Sequence, residues 1–301
     1  MQSLKRSFTS ISERGLRFDS PPMRLWEKAK RRGVWNPAEI DFGGDRADWL
    51  ALGDGERDLL LRLAALFEAG EESVTIDLLP LIGVVAAEGR LEEELYLTSF
   101  LWEEAKHVEA FRRFFDEVAR ERSDLDHFHG PCYRTIFYDE LPRAMATLKT
   151  DPSPRAMARA SVTYNMIVEG VLAETGYHVY HRMLEENGIL PATMQMVGLL
   201  KADEARHLAY GVYLLSRLVA EHGDPVWEAI EERMNELLEP AIGVIQEVFT
   251  AYDPAAVPFG LELEPFLDFA MRQYQSRIER IERSRGRTLA EVERIADLGA
   301  G

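Results

Sequence analysis

The sequence predicts an all-α fold, a bundle of long antiparallel helices. Three observations carry this. Alternating runs of β-branched residues are nearly absent, so strand signals are missing. Turn-forming clusters recur roughly every 25–40 residues. Between them, apolar residues fall at i, i+3, i+4 and i+7, the pattern of a helix with one buried face.

Taken in order, a short helix near 23–32 precedes the turn NPAE at 36–39. A long periodic segment over about 55–88 stops at Gly89, and another over about 91–121 follows it. A shorter helix near 131–148 ends at DPSP, 151–154, where proline can open the next helix. That helix runs over about 154–187 and stops at NGILP, 187–191. Two more, about 192–221 and about 225–251, are separated by HGDP at 222–225. The loop YDPAAVPFG at 252–260 leads to a last helix over about 262–285. A helix of about 30 residues is about 45 Å long, and short connections make its neighbours antiparallel. No linker divides the chain, so residues 1–301 read as one helical domain. Residues 1–20 and the polar stretch from about 286 are expected to be flexible.

Composition excludes several classes of function. Hydrophobic residues make up 46% of the 301, enough for a sizeable core. A formal net charge of −17 opposes binding to nucleic acid or to an anionic membrane surface. The longest apolar run, LLPLIGVVAA at 78–87, is too short to span a bilayer. The single cysteine, Cys132, precludes an internal disulfide and fits a reducing compartment. The first residues, MQSLKRSFTS, lack the apolar core of a signal peptide, so a cytoplasmic location is expected.

Chemistry enters at an internal repeat. Residues 103–107 read EEAKH and residues 203–207 read DEARH, both acid-Glu-Ala-base-His. Residues three apart share a helix face, so Glu104 projects with His107 and Glu204 with His207. With seven histidines in an acidic chain, about one Glu-x-x-His match is expected by chance. Context distinguishes these two from a pair of salt-bridged surface turns. Both sit centrally in long helices and are flanked by apolar Ala105, Phe111, Ala205 and Leu208. Two other long helices each offer a glutamate in apolar surroundings: Glu71 or Glu72 in FEAGEESVTIDLLPL, and Glu169 in TYNMIVEGVLAETG. One glutamate from each of two helices plus Glu-x-x-His from each of two others is the ligand pattern of ferritin-like dinuclear sites. Four glutamates would repel one another in a core, whereas two divalent metals neutralise them. Asp203 is placed to hold a metal-bound histidine through its other ring nitrogen. Tyr177, two turns beyond Glu169, is a candidate for the same supporting layer. His178 reads more simply as a hydrogen-bonded or surface histidine, and Arg277, Arg280, Arg283, Arg285 and Arg287 as a solvated late helix. Gly170, Ala173 and Gly176 fit room for an acyl chain and close helix packing equally well.

The chain resembles the ribonucleotide reductase small-subunit-like ligand-binding oxidases. The resemblance runs from about Trp26 to about Arg285. It rests on NPAEIDF at 36–42, AGEESVT at 69–75, EEAKH, YRTIFYDELP at 133–142, DPSP, ASVTYNMIVEG at 160–170 and DEARH. It implies a ferritin-like four-helix core with additional helices. The first metal site would be Glu71, Glu104 and His107, and the second Glu169, Glu204 and His207. The match selects Glu71 over Glu72, which spacing alone does not. It further implies manganese in the first site and iron in the second, with two irons as the alternative. The implied partners are dioxygen and a long-chain fatty acid or similar amphiphile at the metals. The electron donor is unassigned, and a homodimer is the expected assembly. Phe111 stands where reductase subunits form their tyrosyl radical, although manganese/iron reductase subunits also carry phenylalanine there. No tyrosine follows Tyr274, which argues against long-range radical export. A reductase radical subunit and a non-catalytic lipid-binding or metal-storage bundle are the rival readings.

Val74 and Tyr164 are singled out as reacting residues. Val74 shares a helix face with Glu71. Tyr164 lies five before Glu169, off its face on a regular α-helix, so a π-helical widening is expected between about 162 and 170. The resemblance then implies an ether from the Tyr164 phenol oxygen to the Val74 β-carbon.

Overall fold

The computed structural model describes residues 8–296, and among them there is no β-strand. The helices are α1 (Pro21–Arg32), α2 (Asp45–Ala51), α3 (Asp54–Asp77), α4 (Leu79–Ala87), α5 (Leu91–Arg113), α6 (Pro131–Arg134) and α7 (Leu141–Thr147). They continue as α8 (Pro154–Ser161), α9 (Glu174–Asn187), α10 (Pro191–His222), α11 (Asp224–Thr250), α12 (Leu263–Glu282) and α13 (Leu289–Ile295). Three π-helical stretches interrupt or extend them, Phe114–Ala119 after α5, Thr135–Glu140 between α6 and α7, and Val162–Ala173 between α8 and α9. The architecture is a ferritin-like four-helix core of α3, α5, the α8–π–α9 rod and α10, with the other helices packed around it. No described helix is long and apolar enough to cross a membrane.

The predicted 55–88 helix is two helices meeting at Leu78. Pro80 has no N–H and its ring crowds the carbonyl four residues back, so the rod restarts there as α4. The segment predicted as one helix near 131–148 contains a full π-helical stretch. The 154–187 rod does hold the expected widening, but over twelve residues, Val162–Ala173. It ends where Gly188, at φ +62°, adopts the left-handed conformation that stops a helix.

The two terminal stretches make contacts with the body of the protein, and one arginine departs from its expected place. The stretch from 286 is not frayed throughout. Thr288 caps α13 in a reciprocal capping box with Glu291, and Val292 is buried. Glu293 on that helix pairs with Arg17. In the N-terminal stretch, Glu92 accepts hydrogen bonds from the Arg17 backbone N–H and the Arg14 guanidinium, both at 3.0 Å. Residues 1–7 and 297–301 lie outside the described residues. Nor is Arg277 solvated. It is buried, donates to Gln273 at 2.8 Å, and burial lowers its pKa to about 10 against the opposing charge of Glu174. A helix face read from sequence does not reveal that α12 turns this residue toward the α8–π–α9 rod.

Candidate metal centre

The centre is built by four helical rods, each bringing glutamate to one buried point. α3 supplies Glu71, α5 supplies Glu104 and His107, the π-helical stretch supplies Glu169, and α10 supplies Glu204 and His207. All six are buried, while the neighbouring Glu72 is exposed. Their ligand atoms form two overlapping groups, each within 4.8 Å: Glu71, Glu104, His107, Glu204, and Glu104, Glu169, Glu204, His207. Glu104 and Glu204 belong to both, the position of carboxylates that bridge two ions. His107 Nδ1 lies 3.2 Å from Glu71 and 3.3 Å from Glu204; His207 Nδ1 lies 3.0 Å from Glu104.

The donor set fits two divalent cations. Both oxygens of Glu104, one each of Glu169 and Glu204, and Nδ1 of His207 are buried without a hydrogen bond. Leaving such atoms unpaired costs free energy that a cation between them removes. Carboxylate oxygen and imidazole nitrogen are donors that manganese, iron and zinc accept. Electrostatics lead to the same place. Burial, reinforced by Glu104 and Glu204, raises the Glu71 pKa to about 8 despite the attraction of His107. Burial and then Glu204 push Glu169 well above the carboxylate range. Burial opposes a charge on His107 and His207, yet the surrounding carboxylates raise both well above the ordinary value. Protons held by this cluster would be displaced by metal ions.

The histidines are oriented by a crossed arrangement. His107, on α5, contacts Asp203 of α10 through Nε2 at 3.3 Å. His207, on α10, contacts Glu103 of α5 through Nε2 at 2.9 Å. The first acid of each EEAKH/DEARH copy therefore serves the histidine of the other copy. The bases complete the exchange: Lys106 binds Asp203 at 3.0 Å, and Arg206 binds Glu103 at 2.7 Å and also Asp203. All five repeat positions are thus explained, with alanine as the small residue among them.

Asp203 lies against His107, and the Tyr177 phenol donates to Glu71 Oε1. Glu103, Trp35 and Asn165 were missed. Trp35 donates from Nε1 to Asp203 at 2.8 Å and stacks on His107 at 6.2 Å. Asn165 donates to Glu169 at 2.9 Å and accepts from Ser161 at 2.8 Å, which aims the glutamate. Glu103 was legible as the counterpart of Asp203 in the repeat; the other two leave no signal in the spacing. His178 is not among the ligands and stacks on Phe269 at 4.3 Å. Phe111 is buried and stacked on Phe67 at 5.3 Å.

Val74 and Tyr164 are brought together. Both are buried, and the Tyr164 phenol donates to the Val74 carbonyl at 3.2 Å. The π-helical stretch achieves this by returning residues five apart to one face. Beside them lies an apolar cavity of about 100 Å³, whose only charged lining residues are Glu71, Glu104, Glu169 and Glu204. Val74, Ala173 and Gly176 line it, whereas Gly170 packs against the Asn165 carbonyl and Leu208.

The family model for the ribonucleotide reductase small chain matches residues 17–269. Among solved structures, the R2-like ligand-binding oxidase from Sulfolobus acidocaldarius is 37% identical, with a TM-score of 0.86 over 96% of this chain and 99% of that one. A glycine-to-leucine variant of an R2-like ligand-binding oxidase, with anaerobically reconstituted Mn/Fe cofactor, is 37% identical, with a TM-score of 0.85 over 91% of this chain and 97% of that one. A tyrosine-to-phenylalanine variant with aerobically reconstituted Mn/Fe cofactor is 38% identical, with a TM-score of 0.84 over 91% and 97%. With its buried cluster of four glutamates and two histidines, the crossed contacts of those histidines and these likenesses, the chain belongs to the ribonucleotide reductase small-chain family, among the R2-like ligand-binding oxidases.

Proposed function

We propose that this chain is a dioxygen-activating oxidase with manganese on the Glu71–Glu104–His107 side and iron on the Glu169–Glu204–His207 side. The observation that carries this reading is the pair of ligand groups sharing Glu104 and Glu204, set against an apolar cavity. The Mn/Fe cofactor named for the similar oxidases supports the choice of metals. Bound there, such a pair supplies two-electron oxidation by dioxygen. The protein contributes fixed ligands, exclusion of water and a position for the C–H bond.

The first bond oxidised is the chain's own. The Tyr164 O–H and the Val74 Cβ–H are broken and an O–Cβ ether forms. Two protons and two electrons pass to dioxygen, which leaves as hydrogen peroxide, or as two waters when an external reductant and solvent supply two further electrons and two further protons. Valine offers a tertiary C–H, weaker than a methylene. The hydrogen bond from the Tyr164 phenol to the Val74 carbonyl holds the two residues together. In the apolar cavity a long-chain fatty acid sets its tail, with its carboxylate at the metal-site glutamates' cations. A tyrosyl-radical reductase subunit would need an oxidisable phenol one turn beyond the first histidine, where Phe111 has none; manganese/iron reductase subunits share this phenylalanine, so the position separates the chain only from the tyrosyl-radical type.

Peptide mass spectrometry tests the reading. Protein loaded with manganese and iron without oxygen should give separate peptides for residues 74 and 164. After air, a linked pair lighter by two hydrogens should appear, and Tyr164→Phe should abolish it while retaining metal. Denaturing the purified protein should also release long-chain fatty acid. Unlinked peptides at full yield after air would reject the cross-link, and a lipid-free, metal-loaded protein would reject the ligand.

A further inference from the structure

A row of aromatic rings leaves the metal centre along the seam between α5 and α10. His207 stacks on Phe100 with ring centroids 3.7 Å apart and planes 13° apart. Phe100 neighbours Tyr96 at 6.2 Å, Tyr96 neighbours Tyr210 at 5.2 Å, and Tyr210 neighbours Tyr213 at 6.5 Å. All five are buried. The row is built by helical spacing: Tyr96 and Phe100 are four apart on α5, and His207, Tyr210 and Tyr213 are three apart on α10. Nothing in the metal chemistry of the six ligands requires these tyrosines.

One ring in the row differs from the others in its surroundings. The Tyr210 phenol donates to Glu93 Oε2 at 3.0 Å. Glu93 is buried and pairs with Arg217 Nε at 3.2 Å, and Arg217 in turn reaches Glu221 at 3.0 Å and Glu88 at 3.2 Å. A neutral tyrosyl forms only if the phenolic proton has somewhere to go. The Tyr96 hydroxyl is buried with no hydrogen-bond partner, so its ring passes an electron without holding the radical. Tyr164 faces a backbone carbonyl, which is too weak a base. Tyr177 faces Glu71, a carboxylate that would hold a metal ion. Among the tyrosines of the row and those at the metal centre, Tyr210 is the one whose phenol meets a carboxylate outside the ligand groups, and burial keeps the proton affinity of Glu93 raised against the pull of Arg217 and Arg90.

We infer that Tyr96 and Tyr210 form a one-electron relay between the metal centre and the outer part of α10, with Tyr210 as its redox-active station. This rests on the oxidase reading. Reducing one dioxygen to two waters takes four electrons, and oxidising one C–H substrate supplies two, so repeated turnover needs two electrons from outside. In each step one electron leaves the Tyr210 ring through Tyr96 and Phe100 for the oxidised centre, which is reduced by one electron. The phenolic proton moves to Glu93. An external one-electron reductant then restores Tyr210, and the proton returns from Glu93. Tyr213, in the field of Arg17, Glu93 and Glu293, is the last ring of the row.

Freeze-quench electron paramagnetic resonance on manganese/iron-loaded protein mixed with oxygen tests this. A transient tyrosyl signal is expected, narrowing when the tyrosines are ring-deuterated. Tyr210→Phe should remove it with metal content and melting temperature retained, whereas Tyr274→Phe should leave it unchanged. Glu93→Gln, which removes the proton acceptor, should cut its yield at least tenfold. Reduction of the oxidised centre by ascorbate should slow at least tenfold in Tyr210→Phe. An unaltered signal in Tyr210→Phe, or metals that oxidise and are re-reduced at wild-type rates in that variant, would overturn the relay while leaving the oxidase reading intact. Metals that bind but never oxidise in air would overturn both.

Discussion

Glu103 on α5 accepts a hydrogen bond from the imidazole of His207 on α10, at 2.9 Å from Nε2. The contact fixes which ring nitrogen faces the metal ligands, because the proton on Nε2 leaves Nδ1 as the donor to a metal. Asp203 does the same for His107 in the opposite direction.

Glu103→Ala should therefore weaken metal binding on the second side by about 10–100-fold, with the first side less affected. Competition with a chelator of known affinity, read by metal analysis, measures this. An unchanged second-side affinity would show that His207 is oriented by its stacking on Phe100 alone.

Glu104→Ala should lose both metals and Glu71→Ala only one. Glu104 belongs to both ligand groups, whereas Glu71 belongs to the first. Metal content per chain after desalting distinguishes the two variants. Equal retention by both would contradict the bridging position of Glu104.

Gly211→Ala should lower stability by about 1–3 kcal/mol, the usual cost of overpacking a core. The new Cβ would lie 2.3 Å from Asn165 Cβ and 2.7 Å from its Cγ. Displacing Asn165 releases the hydrogen bond that aims Glu169. Second-side metal affinity should fall along with the melting temperature, and a drop in melting temperature alone would separate packing from ligand positioning.

Chelated protein should lose stability as pH rises from 6 to 9. Glu71, about 8 when folded against 4.5 for a free glutamate, favours the folded state most below its unfolded value. That contribution falls by about 1.4 kcal/mol per pH unit between the two values and is lost above the folded one. His107 and His207, both raised, act in the same direction above their unfolded value of 6.5. Asp203, held low chiefly by its hydrogen bond to His107 against the opposing effect of burial, contributes above its unfolded value and is lost only in acid. Melting temperatures with and without metal give the check: the metal-loaded protein, its glutamates already ionised, should show the weaker decline.

The sequence by itself determined the helical rods, the two Glu-x-x-His turns, the further glutamates on two other helices and the need for a π-helical widening before Glu169. These follow from spacing along one chain, since positions three, four or five apart specify a helix face before any packing occurs. Glu71 and Glu72 show the limit, because adjacent residues differ only in which way the packed α3 turns them. The tertiary structure alone decided what crosses between helices. Spacing does not state that α5 and α10 run side by side so that Glu103 meets His207 and Asp203 meets His107. Nor does it state that Trp35, from the loop after α1, closes over Asp203, or that Arg277 turns inward from α12. Such partnerships arise when separately specified faces are pressed together, and a buried charge or imidazole must then take its partner from whichever rod is opposite.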